Sequence, residues 1–131
     1  MKATLNSAKI NPISVLDCKQ LDMLIGVAGD NAAELLQDLI EVFIEENTPH
    51  IEGLRQAVDA ADFVLAAKRA HFIAGSSANL GGQRLSIICS AMEREAPYAD
   101  TAGLLKMIVQ IEEEFQLTVK SLRKEIEKLA R

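Results

Sequence analysis

The sequence contains no tryptophan, and four phenylalanines and one tyrosine are its only aromatic residues. Aliphatic side chains must therefore fill most of the core. Seven glycines and three prolines in 131 residues leave room for few loops, which favours long regular elements. Hydrophobic residues make up 49% of the chain and charged residues 25%, an ordinary composition for a globular protein of one domain.

Further absences exclude classes of partner and of site. No apolar run approaches the roughly 18 residues that a membrane span requires, and residues 1–11 lack the apolar core of a signal peptide. The net charge of −5 argues against nucleic acid or an anionic membrane as the main partner. Cys18 and Cys89 lie far apart without metal-ligand spacing, so we expect reduced thiols, no bound metal and a cytoplasmic location.

The apolar residues recur at helical spacing, and no stretch alternates as a β-strand would. Residues 1–15 show no period, so we expect a loose arm before a single domain formed by residues 16–131. Asp17 has the character of a helix N-cap. The short helix that it starts should end near Gly26 or Gly29, because glycine tolerates the backbone conformation that closes a helix.

Four longer amphipathic helices should follow this short one, separated by brief connections. Within the first of them, Pro49 removes a backbone donor and should kink the helix without ending it. Long amphipathic helices joined by short loops imply an all-α fold, an antiparallel four-helix bundle with an additional short N-terminal helix. The predicted boundaries are Asp30-Asn31 to Ala60, Asp62 to Gly81-Gly82, Leu85 to Pro97, and Asp100 or Thr101 onward.

Residues 70–82, which read AHFIAGSSANLGG, place a histidine among unusually many small residues inside one of these helices. At about 100° per residue, His71 lies on the outward face, away from Ile73 and Leu80. A glycine in the middle of a helix, such as Gly75, costs stability relative to alanine. This cost suggests a functional reason for the glycine, and we interpret it as space for the close approach of a second macromolecule. We call the small residues predicted around the imidazole the docking clearing: Ala67, Ala74, Gly75 and Ala78.

This stretch resembles the signature of histidine-containing phosphotransfer (HPt) domains, which commonly read A-H-x-L-K-G-S-S-x-x-L-G. By pattern the resemblance extends over roughly residues 16–97. The sequence departs from the signature at Ala74, where the family usually has a lysine. The matching positions are Ala70, His71, Gly75, Ser76, Ser77, Leu80 and Gly81.

The resemblance implies a phosphorelay protein of two-component signalling that carries a phosphoryl group on Nε2 of His71. The partner would be a response-regulator receiver domain or a hybrid sensor histidine kinase, and the receiver would supply both the aspartate and Mg²⁺. The chain itself would need no cofactor, and we expect a monomer. No Gly-rich nucleotide loop is present, so the sequence predicts a phosphotransfer carrier rather than an autonomous kinase.

The missing lysine leaves two questions open. Lys68 lies three residues before His71 on the same helix face, and our hypothesis is that it supplies the phosphoryl-stabilising charge; an ordinary solvated lysine is the alternative. The chain could instead be a non-catalytic HPt-like adaptor that docks a receiver or kinase without efficient transfer. The absence of the usual lysine, at Ala74, is the feature that favours this alternative. Two other residues have no predicted site role: we expect Glu93 to belong to a solvated face and His50 to be structural or incidental.

Overall fold

A computed structural model describes residues 13–130, and over that range the chain forms helices and no β-strand. This confirms the predicted all-α class and the four-helix bundle with a short additional N-terminal helix. None of the helices in this range is long and apolar enough to cross a membrane. The helices are α1 (Cys18–Ala28), α2 (Ala32–Asp59), α3 (Phe63–Asn79), α4 (Gln83–Glu95) and α5 (Thr101–Leu129), with a 3₁₀ turn (Gly29–Asn31) between α1 and α2.

Local capping signals explain where most of these helices begin and end. The side chains of Asp17, Asp62 and Asp100 each accept a hydrogen bond from a backbone N–H in the first turn of α1, α3 and α5. Such bonds satisfy donors that a helix N-terminus leaves free. Gly29 ends α1 with a φ of 60°, and Gly81 has a φ of 89° in the α3–α4 connection. Glycine is the residue that adopts such angles without steric cost.

The long helix α2 continues through Pro49 as one element. Just before the proline, the side chains of Asn47 and Thr48 donate hydrogen bonds to the carbonyls of Phe43 and Ile44, one turn earlier. Polar side chains thus bond to the backbone where the proline interrupts the helical pattern. Because the helix does not break there, its second half places the next residue, His50, beside α3.

Helix α3 packs against α2 and α4, and α5 closes the bundle against the same two helices. Phe43 of α2 stacks on Phe115 of α5 with ring centroids 5.4 Å apart, but aliphatic side chains fill most of the core, as the scarcity of aromatic residues requires. Burying each such side chain stabilises the fold by about 1.5–3 kcal/mol. The largest fully buried side chains are Leu36, Ile40, Leu54, Ile73, Leu85, Ile88, Met92, Leu104, Met107, Ile108, Ile111 and Leu122.

The segment before α1 is held against α4. Arg84 forms two bonds of 2.9 and 2.8 Å with the carboxylate of Glu114 and also donates to the carbonyl of Ile13 at 3.3 Å. The amide of Gln83 donates to the carbonyl of Ser14 at 3.0 Å. Residues 13–15, the end of the predicted arm, are therefore tied to the domain rather than loose. The rest of that arm lies outside the described residues.

Candidate functional site

His71 lies in the middle of α3, whose other face is buried in the bundle. Ala66, Ala70 and Ile73 are fully buried, and they fix the rotation of the helix. His71 consequently points outward, with 74% of its side chain exposed. Side chains of the two neighbouring helices, His50 of α2 and Glu93 of α4, lie on the same surface as His71.

Glu93 of α4 holds the imidazole of His71. Nδ1 lies 3.0 Å from both carboxylate oxygens. A carboxylate only accepts hydrogen bonds, so Nδ1 carries the proton and, in the neutral ring, Nε2 keeps its lone pair. Glu93 is partly solvated, as predicted, with 40% of its side chain exposed, but the prediction missed its contact with His71. This contact joins residues 22 positions apart on different helices, so no local pattern in the sequence indicated it.

His71 opens onto a surface groove of about 710 Å³. Its walls are mostly apolar, and charged or polar groups occur at a few points along them. We call this depression the histidine groove, and its lining consists of His50, Phe63, Val64, Ala67, Lys68, His71, Phe72, Glu93 and Pro97.

The second histidine of the chain lies in the same groove. The ring of His50 stacks on Phe72 with centroids 4.1 Å apart and an interplanar angle of 29°. Its Nδ1 is 3.2 Å from Nη1 of Arg69. Burial and the Arg69 charge lower the pKa of His50, against an opposing effect of Glu46. Arginine only donates, so Nδ1 must accept, and the proton of the neutral ring is on Nε2.

The predicted docking clearing is only partly formed. Gly75 and Ala78 are exposed, and a Cβ added at position 75 would meet no atom within 4 Å. Ala67 lines the histidine groove. Ala74, however, is 6% exposed, and Ser86 of α4 donates a hydrogen bond to its carbonyl at 2.9 Å. Its place in the clearing is therefore corrected: helix α4 covers that side of α3.

Lys68 is exposed and lines the histidine groove together with His71. Within residues 13–130 it makes no ion pair, so its charge is available to a group in the groove. The next residue, Arg69, points toward α2, where a Cβ at position 53 would lie 2.5 Å from its Cζ. Within the described residues 13–130, no group of three or more His, Cys, Asp or Glu side chains is arranged to hold a metal ion.

Comparison with known proteins identifies the family. The family model described as Hpt domain matches residues 38–131. A relative, Multistep phosphorelay regulator 1 of Schizosaccharomyces pombe, is 24% identical over 93 residues, which are 71% of this chain. They are 32% of that relative, so the chain spans about a third of its length.

Two solved structures have the same fold. Histidine-containing phosphotransfer protein B (HptB) of Pseudomonas aeruginosa PAO1 has a TM-score of 0.74 and 24% identity, over 87% of this chain and 96% of that one. A putative histidine-containing phosphotransfer protein from rice has the same TM-score at 13% identity, over 95% and 90% of the two chains. The family model, which matches most of the sequence, shows that the chain belongs to the Hpt domain family.

Proposed function

We propose that this chain carries a phosphoryl group on Nε2 of His71 and exchanges it with the aspartate of receiver domains. The observation that supports this most directly is the contact of Nδ1 with Glu93. It keeps the proton on the nitrogen that faces α4, and it leaves the lone pair of Nε2 free on an exposed ring. An imidazole in this state is a nucleophile at neutral pH without prior activation.

The reaction needs little from this chain beyond position and charge. Nε2 attacks the phosphorus of an aspartyl phosphate; the N–P bond forms as the bond from phosphorus to the aspartate oxygen breaks, and the aspartate leaves as a carboxylate. The imidazole becomes positively charged, and the carboxylate of Glu93 beside Nδ1–H stabilises that charge. Transfer to a second receiver reverses these steps. Mg²⁺ on the receiver would neutralise charge on the phosphoryl oxygens.

Lys68 is the cation that we assign to the phosphoryl group, because it lines the histidine groove and makes no ion pair within the described residues. The family's usual lysine would stand at position 74. Ala74 offers no charge there, and Ser86 of α4 contacts its backbone. Lys68 would reach the phosphoryl group from the turn of α3 that precedes His71. The compensating charge would therefore come from the side of the imidazole opposite to position 74.

The approach path of the partner is the exposed side of α3 that carries Gly75. Replacement of Gly75 by glutamine should leave the fold intact, since a Cβ there meets no atom within 4 Å and glycine is the poorer helix former. The longer side chain should nevertheless obstruct a receiver that comes close to the helix. We expect Gly75→Gln to accept phosphate at least several-fold more slowly than Gly75→Ala, the matched control. Equal rates in the two variants would exclude this face as the approach path.

The decisive experiment is to incubate the chain with a panel of phosphorylated receiver domains and to measure acid-labile phosphate on it. Labelling of the wild type and none of His71→Gln is the expected result. The alternative function, a docking adaptor without efficient transfer, has Ala74 as its supporting observation. Stable binding of a receiver without any labelling would favour that adaptor and overturn the transfer proposal.

A further inference from the structure

The ring of His50 lines the histidine groove and carries one hydrogen-bond donor that no described residue uses. Its Nδ1 accepts from Arg69, and the stack on Phe72 holds the plane of the ring. Its Nε2–H makes no hydrogen bond within residues 13–130 and is not among the buried polar atoms that lack a partner. The donor is therefore solvated in the free protein and has a fixed direction.

A docked partner must cover this donor. Transfer brings the aspartate of a receiver to Nε2 of His71, and His50 lines the same groove. The surrounding surface is apolar, formed by Phe63, Val64 and Phe72, so docking removes water from the groove. An N–H that loses its water must find a new acceptor, or binding pays the cost of leaving it unpaired.

We propose that His50 is a specificity-determining residue for docking: its Nε2–H donates a hydrogen bond to an acceptor oxygen on the bound receiver domain. This inference rests on the proposed function, because it takes a receiver as the occupant of the groove. A receiver with an oxygen at that place keeps the bond, whereas a receiver with an apolar side chain there leaves the donor unpaired. Such a donor discriminates between receivers because it weakens the binding of those that lack the oxygen, in addition to strengthening the binding of those that have it.

A matched pair of substitutions isolates the donor. In His50→Asn the short side-chain amide reaches the position of Nδ1 and can still accept from Arg69, but nothing replaces Nε2–H. In His50→Gln the longer amide reaches the position of Nε2 and supplies an N–H. Both variants lose the ring that stacks on Phe72, and only His50→Gln also loses the acceptor for Arg69, so tighter receiver binding by His50→Gln than by His50→Asn reports the donor. Each is first checked for native helix content and unfolding behaviour.

The measurements are the Kd of each variant for unphosphorylated receiver domains and the transfer rate at saturating receiver. For the receiver that binds wild type most tightly, we expect His50→Asn to raise Kd roughly five- to a hundred-fold. His50→Gln should remain within a few-fold of wild type. The transfer rate at saturation should be unchanged in both, since neither variant touches the reacting atoms. Across the panel, His50→Asn should also reduce the spread of Kd values.

The outcomes separate this inference from the proposed function. Equal Kd values for His50→Asn and His50→Gln, with His71 still labelled, would overturn the role of His50 alone. Receiver binding without any labelling would overturn phosphotransfer, and the Kd comparison would still decide the role of His50. A panel in which no receiver binds the wild type would overturn both.

Discussion

The two histidines of this chain line one groove and are held in opposite states. A carboxylate holds Nδ1 of His71, which leaves Nε2 of the neutral ring unprotonated on a side chain that is 74% exposed. A guanidinium holds Nδ1 of His50, which leaves Nε2 as a donor on a half-buried ring stacked against Phe72. The chemistry of an imidazole is therefore set by the group that its inner nitrogen contacts.

The difference originates in how α3 meets its two neighbours. On the α4 side the carboxylate of Glu93 rises to the surface beside His71. On the α2 side Gly53 leaves space for the side chain of Arg69, which a Cβ would displace, and Arg69 then reaches His50. Helix α3 thus carries His71, the nucleophile that we propose, and also Arg69, whose contact with Nδ1 places the proton of the neutral His50 ring on Nε2.

The largest effect is expected when each histidine is replaced in turn. We expect His71→Gln to abolish phosphate labelling, because glutamine has no nucleophilic nitrogen. His50→Gln should label at a rate within a few-fold of wild type, since Nε2 of His50 carries a proton. Acid-labile phosphate on the chain after incubation with a phosphorylated receiver measures both. Residual labelling of His71→Gln that disappears when His50 is also replaced would contradict the assigned proton positions.

A smaller effect is expected when Glu93 is changed, because the carboxylate acts through the ring of His71. Glu93→Ala should slow transfer at saturating receiver by about tenfold. This loss is near the lower end of what a hydrogen bond to a charged group contributes, because the pair is solvent-exposed. Glu93→Gln keeps an oxygen that can accept from Nδ1–H, so we expect a loss of only a few-fold.

Nitrogen chemical shifts of the ring provide the control for this prediction. Nδ1 should remain the protonated nitrogen of His71 in Glu93→Gln, whereas the two tautomers should compete in Glu93→Ala. Transfer at the wild-type rate by Glu93→Ala would remove Glu93 from the mechanism. A slow variant whose ring still carries its proton on Nδ1 would show that Glu93 acts by charge alone.

The sequence predicted what depends on neighbours within one or two turns. The caps at Asp17, Asp62 and Asp100 and the outward direction of His71 follow from local spacing. The contact of His71 with Glu93 depends on how α4 packs against α3, which spacing within one helix does not contain. The burial of Ala74 has the same cause, because a helical wheel gives angles on α3 but not which angles a second helix covers.

The stability of the domain should also distinguish His50. Burial and Arg69 lower its pKa in the folded chain, whereas the unfolded chain has the ordinary value near 6.5. Between those two values the unfolded chain binds more protons, so the free energy of unfolding falls as the pH drops below about 6.5. Urea unfolding from about pH 7.5 to 5 should therefore show a larger loss in wild type than in His50→Gln. Parallel pH profiles would mean that His50 protonates freely in the fold.

The smallest effect concerns Lys68, the cation that we assign to the phosphoryl group. An exposed ion pair is worth about 0.5–1 kcal/mol, so Lys68→Ala should slow phosphate acceptance or shorten the phosphohistidine lifetime by only a few-fold. Lys68→Arg keeps the charge and serves as the control. Lifetimes are measured by decay of labelled chain after the receiver is removed. Unchanged kinetics in Lys68→Ala would exclude Lys68 from the site.

Restoring the family's usual lysine provides the complementary test. In Ala74→Lys the side chain starts from a buried position beside α4, and its four-carbon stem must extend along the apolar surface before the ammonium reaches solvent near His71. We expect faster transfer than wild type and rescue of Lys68→Ala in the double variant, because either cation can compensate the same phosphoryl charge. An Ala74→Lys chain that folds but transfers no faster, alone or with Lys68→Ala, would mean that charge on this side of the imidazole does not limit the reaction.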